Sequence, residues 1–164
     1  MNSNHSGFSI ALFEPRIPQN TGCIARTCAA FSVKLHLICP LGFSLEDKFM
    51  KRAGLDYWQY VDLIVHDNYT SFLKNIDQRS RIIGFSKSAK TELTSLSFKK
   101  NDILLFGRED TGLPPSLQDT LSEMSCISMP GGVQLNNGKG VRSLNLSVAV
   151  GIATYNAYTN FKIT

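Results

Sequence analysis

The sequence predicts an α/β fold, with one mainly parallel sheet and helices on both faces. Short apolar segments alternate along the 164 residues with segments that have helical periodicity. No repeat or low-complexity linker interrupts this alternation. Alternating strands and helices of this kind form a parallel sheet that helices cover on both sides. The length suits one domain with a buried core, so we expect residues 1–164 to be a single domain.

The first half of the chain supplies the clearest elements. Residues 8–13 are short and apolar, and Pro15 and Pro18 end this strand. Residues 21–31 place apolar or small side chains at i, i+3, i+4 and i+7, which predicts an amphipathic helix. The remaining elements are predicted as strands over residues 33–39, 61–66 and 81–85 and as helices over residues 46–53 and 69–76.

The second half begins with a polar segment, residues 86–100, which predicts a loop. An apolar strand over residues 102–106 runs into Gly107, and Pro114 and Pro115 open a short helix. The other elements are predicted as a strand over residues 127–129, a glycine- and asparagine-rich loop over residues 131–140 and a helix over residues 144–158. That last helix is apolar on much of its circumference, so we expect it to be well buried.

Composition narrows the class of protein. The net charge of +4 permits a nucleic-acid partner without requiring one. The four cysteines show no C-x-x-C spacing and the three histidines are scattered, so we predict free thiols in a reducing cytosol and no metal site. The apolar runs are too short to cross a bilayer, and the polar N-terminus lacks a secretory pattern. We therefore expect a cytoplasmic protein without membrane attachment.

Three polar blocks are the candidates for function. The first block holds Asn20 and Arg26, the second spans residues 107–114 with Glu109 inside it, and the third holds Pro130 and residues 142–147. Each lies where a predicted strand passes into a loop or helix. Ligands of open α/β sheets bind at the carboxyl ends of the strands. The three blocks therefore predict one composite site.

Each block also has a purely structural interpretation. Asn20 or Ser143 could be the N-cap of the helix that follows it, and Asn145 could simply open the last helix. Arg26 lies opposite the apolar face of its helix, where an arginine is usually a solvated charge. The second block could be a tight turn, in which Gly107 permits a close backbone approach and Gly112 a positive φ.

Several common kinds of site are absent from the sequence. The segment from Gly132 to Gly140 has the wrong spacing for a phosphate-binding loop and lacks its hydroxyl residue. No G-x-G-x-x-G follows the first strand, which argues against an ordinary dinucleotide-binding oxidoreductase. No Ser/His/Asp set stands out, so covalent hydrolase chemistry is disfavoured.

Taken together, the blocks resemble the SPOUT superfamily of knotted S-adenosylmethionine-dependent methyltransferases, in its ribose 2′-O-methylating branch. The resemblance covers nearly the whole chain. Within this branch, the chain most resembles the minimal subfamily that methylates the wobble nucleotide of tRNA. The residues that carry it are Glu14-Pro15, Ile17-Pro18, Asn20-Thr21-Gly22, Arg26, residues 52–57, Phe106-Gly107, Glu109, Gly112-Leu113-Pro114, Pro130 and residues 142–147.

The resemblance implies a homodimer with a C-terminal trefoil knot and no separate RNA-binding extension. It implies methyl transfer from S-adenosylmethionine, leaving S-adenosylhomocysteine, to C34 or U34 in a tRNA anticodon stem-loop, without a metal. The implied catalytic residues are Arg26, Asn20, Glu109, Ser143 and Asn145. The implied cofactor-binding residues are Phe85, Gly107, Met129, Ser143 and Leu144.

RNA contacts are expected from Lys48, Lys51, Arg52 and Arg142. The first three lie at i, i+3 and i+4 of a predicted helix, where they could bind phosphates or simply be solvated. Tyr57 and Trp58 follow and could stack on a base. The alternatives are a 2′-O-methyltransferase for another tRNA position or for ribosomal RNA, and a non-enzymatic RNA-binding module.

Overall fold

The computed structural model describes residues 7–46, 48, 52–53, 55–132 and 137–163. The strands are β1 (Phe8–Phe13), β2 (Lys34–Ile38), β3 (Leu63–His66), β4 (Ile82–Phe85), β5 (Thr91–Glu92), β6 (Asp102–Phe106) and β7 (Glu123–Cys126). The α-helices whose bounds lie within the described residues are α1 (Pro18–Phe31), α2 (Tyr69–Asn75), α3 (Pro115–Gln118) and α4 (Leu146–Ile163), and 3₁₀ helices span Leu55–Tyr60 and Leu93–Ser95.

The strands form one sheet in the order β3-β2-β1-β6-β4-β7-β5. Every neighbouring pair in it is parallel, with Ile10 opposite Leu35 on one side and Leu104 on the other. The apolar runs of β1 and β6 are buried because strands in the middle of a parallel sheet are covered on both faces. The predicted α/β class and parallel sheet are confirmed.

Two hydrophobic clusters show which helices cover which face. Alternate residues of β1 point to opposite sides: Ile10 and Leu12 join one cluster and Ala11 joins the other. The first cluster includes α1 and α4 through residues such as Ile24 and Val150, and the second includes Phe72 of α2 and Leu117 of α3. Helices therefore lie on both faces, as predicted.

Some boundaries differ from the predictions. The prediction of a strand over residues 127–129 is wrong, because the strand is Glu123–Cys126, which pairs with β4 through residues 123–125. The segment predicted as a loop, residues 86–100, contains the short strand β5 and the 3₁₀ helix Leu93–Ser95. Of the helix predicted over residues 46–53, residues 48 and 52–53 are helical, and residues 47 and 49–51 lie outside the described residues.

The last helix differs from its prediction in both extent and burial. It begins at Leu146 rather than Leu144 and runs to Ile163. Val150, Ala153 and Ala157 are fully buried. An apolar stripe at i, i+4 and i+7 is instead open: Val148 is 49% exposed, Ile152 41% and Tyr155 60%. The helix is therefore well buried along one face, as expected, but open along this stripe. Within the described ranges, no helix combines the length and apolar character that crossing a membrane requires.

Candidate active site

A cavity of about 450 Å³ opens at the carboxyl ends of β4, β6 and β7. Phe85 ends β4, Gly107 follows β6 and Cys126 ends β7, so three neighbouring strands supply its floor. The start of α1 and the segment that enters α4 close it from the side. These walls are formed by Ile17, Asn20, Ser143, Leu144, Asn145, Leu146 and Ala149. The cavity lies where an open α/β sheet is expected to bind its ligand.

Most of the residues that the sequence singled out meet in this cavity. All five predicted cofactor-binding residues line it, namely Phe85, Gly107, Met129, Ser143 and Leu144. Four of the five predicted catalytic residues also line it, namely Asn20, Glu109, Ser143 and Asn145. The structure therefore brings all three polar blocks to one place, although they are separated by up to 125 positions along the chain.

Two glycines shape the wall after β6. A Cβ atom at Gly107 would overlap the backbone of Gly112 and Leu113, so only glycine fits there. Arg108 and Gly112 form a short antiparallel bridge, with the Gly112 amide donating to the Arg108 carbonyl at 2.8 Å. Gly112 closes this turn at φ 71°, in the left-handed region. Both conformational roles predicted for these glycines are confirmed.

The Glu109 carboxylate holds the start of α1. Its Oε2 accepts the backbone N–H of Arg16 at 2.8 Å, and its Oε1 accepts the backbone N–H of Ile17 at 3.1 Å. Helix N-termini carry unpaired N–H groups and a partial positive charge, which a carboxylate satisfies. The two amides belong to the residues immediately before α1, which begins at Pro18 with Ile17 as the N-cap residue. The interpretation of Asn20 as the N-cap is therefore wrong.

Asn20 instead joins the three blocks through its side chain, which is only 7% exposed. Its Nδ2 donates to Glu109 Oε1 at 3.3 Å, and its Oδ1 accepts from Asn145 Nδ2 at 3.0 Å. Asn145 Oδ1 in turn accepts from the backbone N–H and the hydroxyl of Ser147, at 2.8 and 2.7 Å. Asn145 thus caps α4, which makes the prediction of Ser143 as its cap wrong.

Arg26 does not reach the cavity of its own chain. It is exposed on α1, where its guanidinium lies 5.1 Å from the ring centroid of Tyr57. This distance is within the range of a cation–π interaction. Of the predicted RNA-binding residues, Lys48, Arg52 and Arg142 are exposed and outside the cavity lining, and Lys51 lies outside the described residues.

The rest of the lining combines an aromatic pair with residues that the sequence reasoning missed. Phe85 and Phe106 stack with their ring centroids 4.5 Å apart. Cys126 was missed because the last strand had been placed too late in the sequence, and burial, together with Glu92, raises the pKa of its thiol. Ser86 and Lys87 were also missed, although their position directly after a predicted strand was the available signal.

One exposed ion pair borders the cavity. The Arg108 side chain donates to both carboxylate oxygens of Asp110, at 3.0 and 2.8 Å, which lowers the pKa of Asp110. Glu14 lies 3.8 Å from the same guanidinium. Arg108 therefore already has anionic partners within the chain. Among the described residues, no group of three His, Cys, Asp or Glu side chains is arranged to hold a metal ion.

A parallel sheet with its cavity at the carboxyl ends of the strands is the arrangement of a ligand-binding α/β domain. The profile of the SpoU rRNA Methylase family matches residues 7–155, and the chain belongs to that family. One relative is the tRNA (cytidine(34)-2'-O)-methyltransferase of Yersinia pestis, 41% identical over 154 residues, which are 92% of this chain and 91% of the relative.

Solved structures agree with this assignment. One that concerns the 2-OH methylation of C/U34 on tRNA has a TM-score of 0.88 and 43% identity, and the match covers 96% of this chain and 97% of that one. AviRb of Streptomyces viridochromogenes, a SpoU methyltransferase in complex with the cofactor AdoMet, has a TM-score of 0.82 at 19% identity. The match with AviRb covers 98% of this chain and 63% of that one, and it shows a shared fold.

Proposed function

We propose that the protein transfers a methyl group from S-adenosylmethionine to the ribose 2′-oxygen of nucleotide 34 of tRNA, a cytidine or a uridine. The observation that carries the proposal is the hydrogen-bonded path from Glu109 through Asn20 to Asn145 along one wall of the cavity. Relatives of similar length that act at this tRNA position support the choice of acceptor.

The cavity suits the proposed methyl donor. Its volume of about 450 Å³ is within the range of small-molecule sites. It joins an apolar wall, formed by the stacked Phe85 and Phe106, to a backbone wall at Gly107. When bound, S-adenosylmethionine supplies a methyl group already activated on a sulfonium. We propose that Phe85, Gly107, Met129, Ser143 and Leu144 hold it and that its product is S-adenosylhomocysteine.

In this proposal, the polar side chains that line the cavity bind the ribose of the acceptor nucleotide. Asn20, Glu109, Ser143 and Asn145 position the ribose, and Arg26 positions the phosphate beside it. A guanidinium keeps its proton in proteins, so Arg26 acts through charge and geometry rather than as a base. Lys48, Lys51, Arg52 and Arg142 supply phosphate contacts across the anticodon stem-loop, which contribute affinity without reading sequence.

We further propose a homodimer in which Arg26 serves the cavity of the partner subunit. The support is the exposed apolar stripe of α4, formed by Val148, Ile152 and Tyr155, because a contiguous apolar surface of this kind marks a protein contact. Tyr155 packs edge-on against Phe31 of α1 at 6.3 Å, so the stripe lies beside the helix that carries Arg26. The trefoil knot and the cytoplasmic location stay predictions.

The test is methylation of bulk tRNA with isotopically labelled cofactor, followed by mass spectrometry of mapped fragments. The expected product is 2′-O-methylcytidine or 2′-O-methyluridine at nucleotide 34. Ribosomal RNA belongs in the same assay, because the family description names it as an acceptor. Label found in ribosomal RNA, or at another tRNA position, would show that the acceptor is that RNA or position and not nucleotide 34. Calorimetry that finds no binding of S-adenosylmethionine would refute the proposal as a whole.

A further inference from the structure

Ser147 of α4 lies at the end of the hydrogen-bonded path, outside the residues assigned above. We infer that Ser147 is a positioning residue: with Glu109 it fixes both asparagine amides in one direction, so that they offer only N–H groups to the ribose oxygen of the acceptor. This inference rests on the proposed function. Glu109, Asn20, Asn145 and Ser147 are called the amide relay below.

The direction of the relay follows from the groups at its two ends. At one end, the Glu109 carboxylate can only accept, so Asn20 must present its NH₂ group there. At the other end, the backbone N–H of Ser147 can only donate, so Asn145 must present its oxygen. The hydroxyl of Ser147 donates to the same oxygen at 2.7 Å. The middle bond, Asn145 Nδ2 to Asn20 Oδ1 at 3.0 Å, agrees with both ends.

The relay leaves a particular set of groups for a ligand. Each amide nitrogen carries two hydrogens and uses one inside the relay. Among the described residues, no protein acceptor takes the second hydrogen of Asn20 or of Asn145. Both residues line the cavity. The oxygen of Asn145 already accepts two hydrogens and that of Asn20 accepts one. The two side chains thus present N–H groups to a ligand that accepts hydrogen bonds.

This donor set has a chemical consequence for the transfer. The 2′-oxygen forms its bond to the methyl carbon while the carbon–sulfur bond breaks and its electron pair stays on sulfur. Negative charge gathers on the 2′-oxygen as its hydrogen leaves, and fixed N–H donors stabilise such charge. Glu109 already accepts three N–H groups from the start of α1, so we assign it a positioning role and not that of the base. In this scheme the proton passes to bulk water.

The experiment compares Ser147→Ala with Ser147→Thr, which keeps a hydroxyl, and with Thr159→Ala as a matched control. The Thr159 hydroxyl is on the same helix and donates to the Asn156 carbonyl at 2.8 Å, away from the cavity. A fourth variant, Asn145→Asp, keeps the helix cap, because a carboxylate still accepts from Ser147, but it removes the donor to Asn20. Circular dichroism checks that each variant is folded.

Three quantities are measured: kcat, the KM for S-adenosylmethionine, and the affinity ratio of anticodon stem-loops with a ribose or a 2′-deoxyribose at nucleotide 34. The binding assay uses protein saturated with S-adenosylhomocysteine, so no reaction occurs. Ser147→Ala keeps the backbone N–H but removes the hydroxyl donor, so one hydrogen bond instead of two holds the Asn145 amide in place. It should lower kcat about tenfold and reduce the ratio about threefold, with an unchanged KM for the methyl donor. Asn145→Asp should lower kcat further and bring the ratio close to one, whereas Ser147→Thr and Thr159→Ala should behave as wild type.

The outcomes separate this inference from the proposed function. If wild-type protein methylates nucleotide 34 but Ser147→Ala matches Thr159→Ala in kcat and in the affinity ratio, the inference is wrong and the function stands. If Ser147→Ala is unfolded, the other variants decide, because wild-type behaviour of folded Asn145→Asp contradicts the relay. If wild-type protein methylates no RNA, the proposed function fails and the inference fails with it.

Discussion

A buried histidine pair makes the stability of this protein depend on pH. His36 on β2 and His66 on β3 are 5% and 2% exposed, and their Nδ1 and Nε2 atoms lie 2.9 Å apart. One hydrogen between the two nitrogens satisfies this contact, so both rings are neutral. Burial, and then the neighbouring His66 and Lys34, lower the pKa of His36 from 6.5 to about 4. The pKa of His66 is also lowered, mainly by burial.

The size of the effect follows from the pKa of His36. Between about pH 4 and pH 6.5 the unfolded chain binds a proton at His36 that the folded chain does not bind. The free energy of unfolding therefore rises with pH through this window. The part that His36 contributes is lost as the pH falls through the same window. The full difference corresponds to about 3 kcal/mol, of which about 2 kcal/mol is lost between about pH 7.5 and pH 5. His66 adds a loss in the same direction.

Urea denaturation followed by circular dichroism measures this loss across the pH window. The control is the double variant His36→Leu/His66→Leu, which replaces both hydrogen-bonding partners and leaves neither unpaired. Wild-type protein should lose about 2 kcal/mol more than the double variant on the same change of pH. Equal pH dependence of the two proteins would show that the pair does not resist protonation, and the argument from burial would be refuted.

Three further predictions concern the scaffold. Asp102→Asn should cost about 3 kcal/mol or more of unfolding free energy in urea denaturation, because Asp102 is 1% exposed and binds Arg81 through two hydrogen bonds; a cost below about 1 kcal/mol would contradict a role for this buried pair. Gly107→Ala should lower the melting temperature and abolish cofactor binding, since its Cβ would overlap the backbone across the turn; normal binding in calorimetry would refute that geometry. Ile152→Glu should convert a dimer into a monomer in analytical ultracentrifugation while circular dichroism stays unchanged, because it charges the middle of the exposed stripe; an intact dimer would place the interface elsewhere.

Much of the cavity could be predicted from the sequence because its residues follow strands directly. Phe85 and Gly107 end or follow short apolar runs, and parallel strands bring such positions to one edge of the sheet. The start of α1 could not be predicted in the same way. The amides of Arg16 and Ile17, just before α1, donate to Glu109 more than ninety positions away, whereas sequence rules for caps consider only neighbouring residues.

Two other errors have physical causes of the same kind. Residues 127–129 are more apolar than Glu123–Cys126, so the local pattern predicts a strand there. Glu123 at the start of β7 instead lies 3.7 Å from Arg81, at the end of the sheet opposite the cavity. Polar residues are thus compatible with β7 for reasons that a local pattern does not contain. Periodicity likewise shows that α4 is apolar, but it cannot tell a residue facing the core from one facing a partner.

The hydrogen bonds from the start of α1 to Glu109 connect the proposed binding sites of two ligands, the methyl donor and the RNA. The loop that holds this carboxylate forms part of the wall for the small molecule, and the helix it caps carries Arg26, which is assigned to RNA. A change in the loop on ligand binding would be transmitted to the helix through these hydrogen bonds, and the affinities for the two ligands would then be coupled. Such coupling is reciprocal by thermodynamic necessity. A single side chain would in that case let RNA be bound differently before and after the methyl group has been transferred.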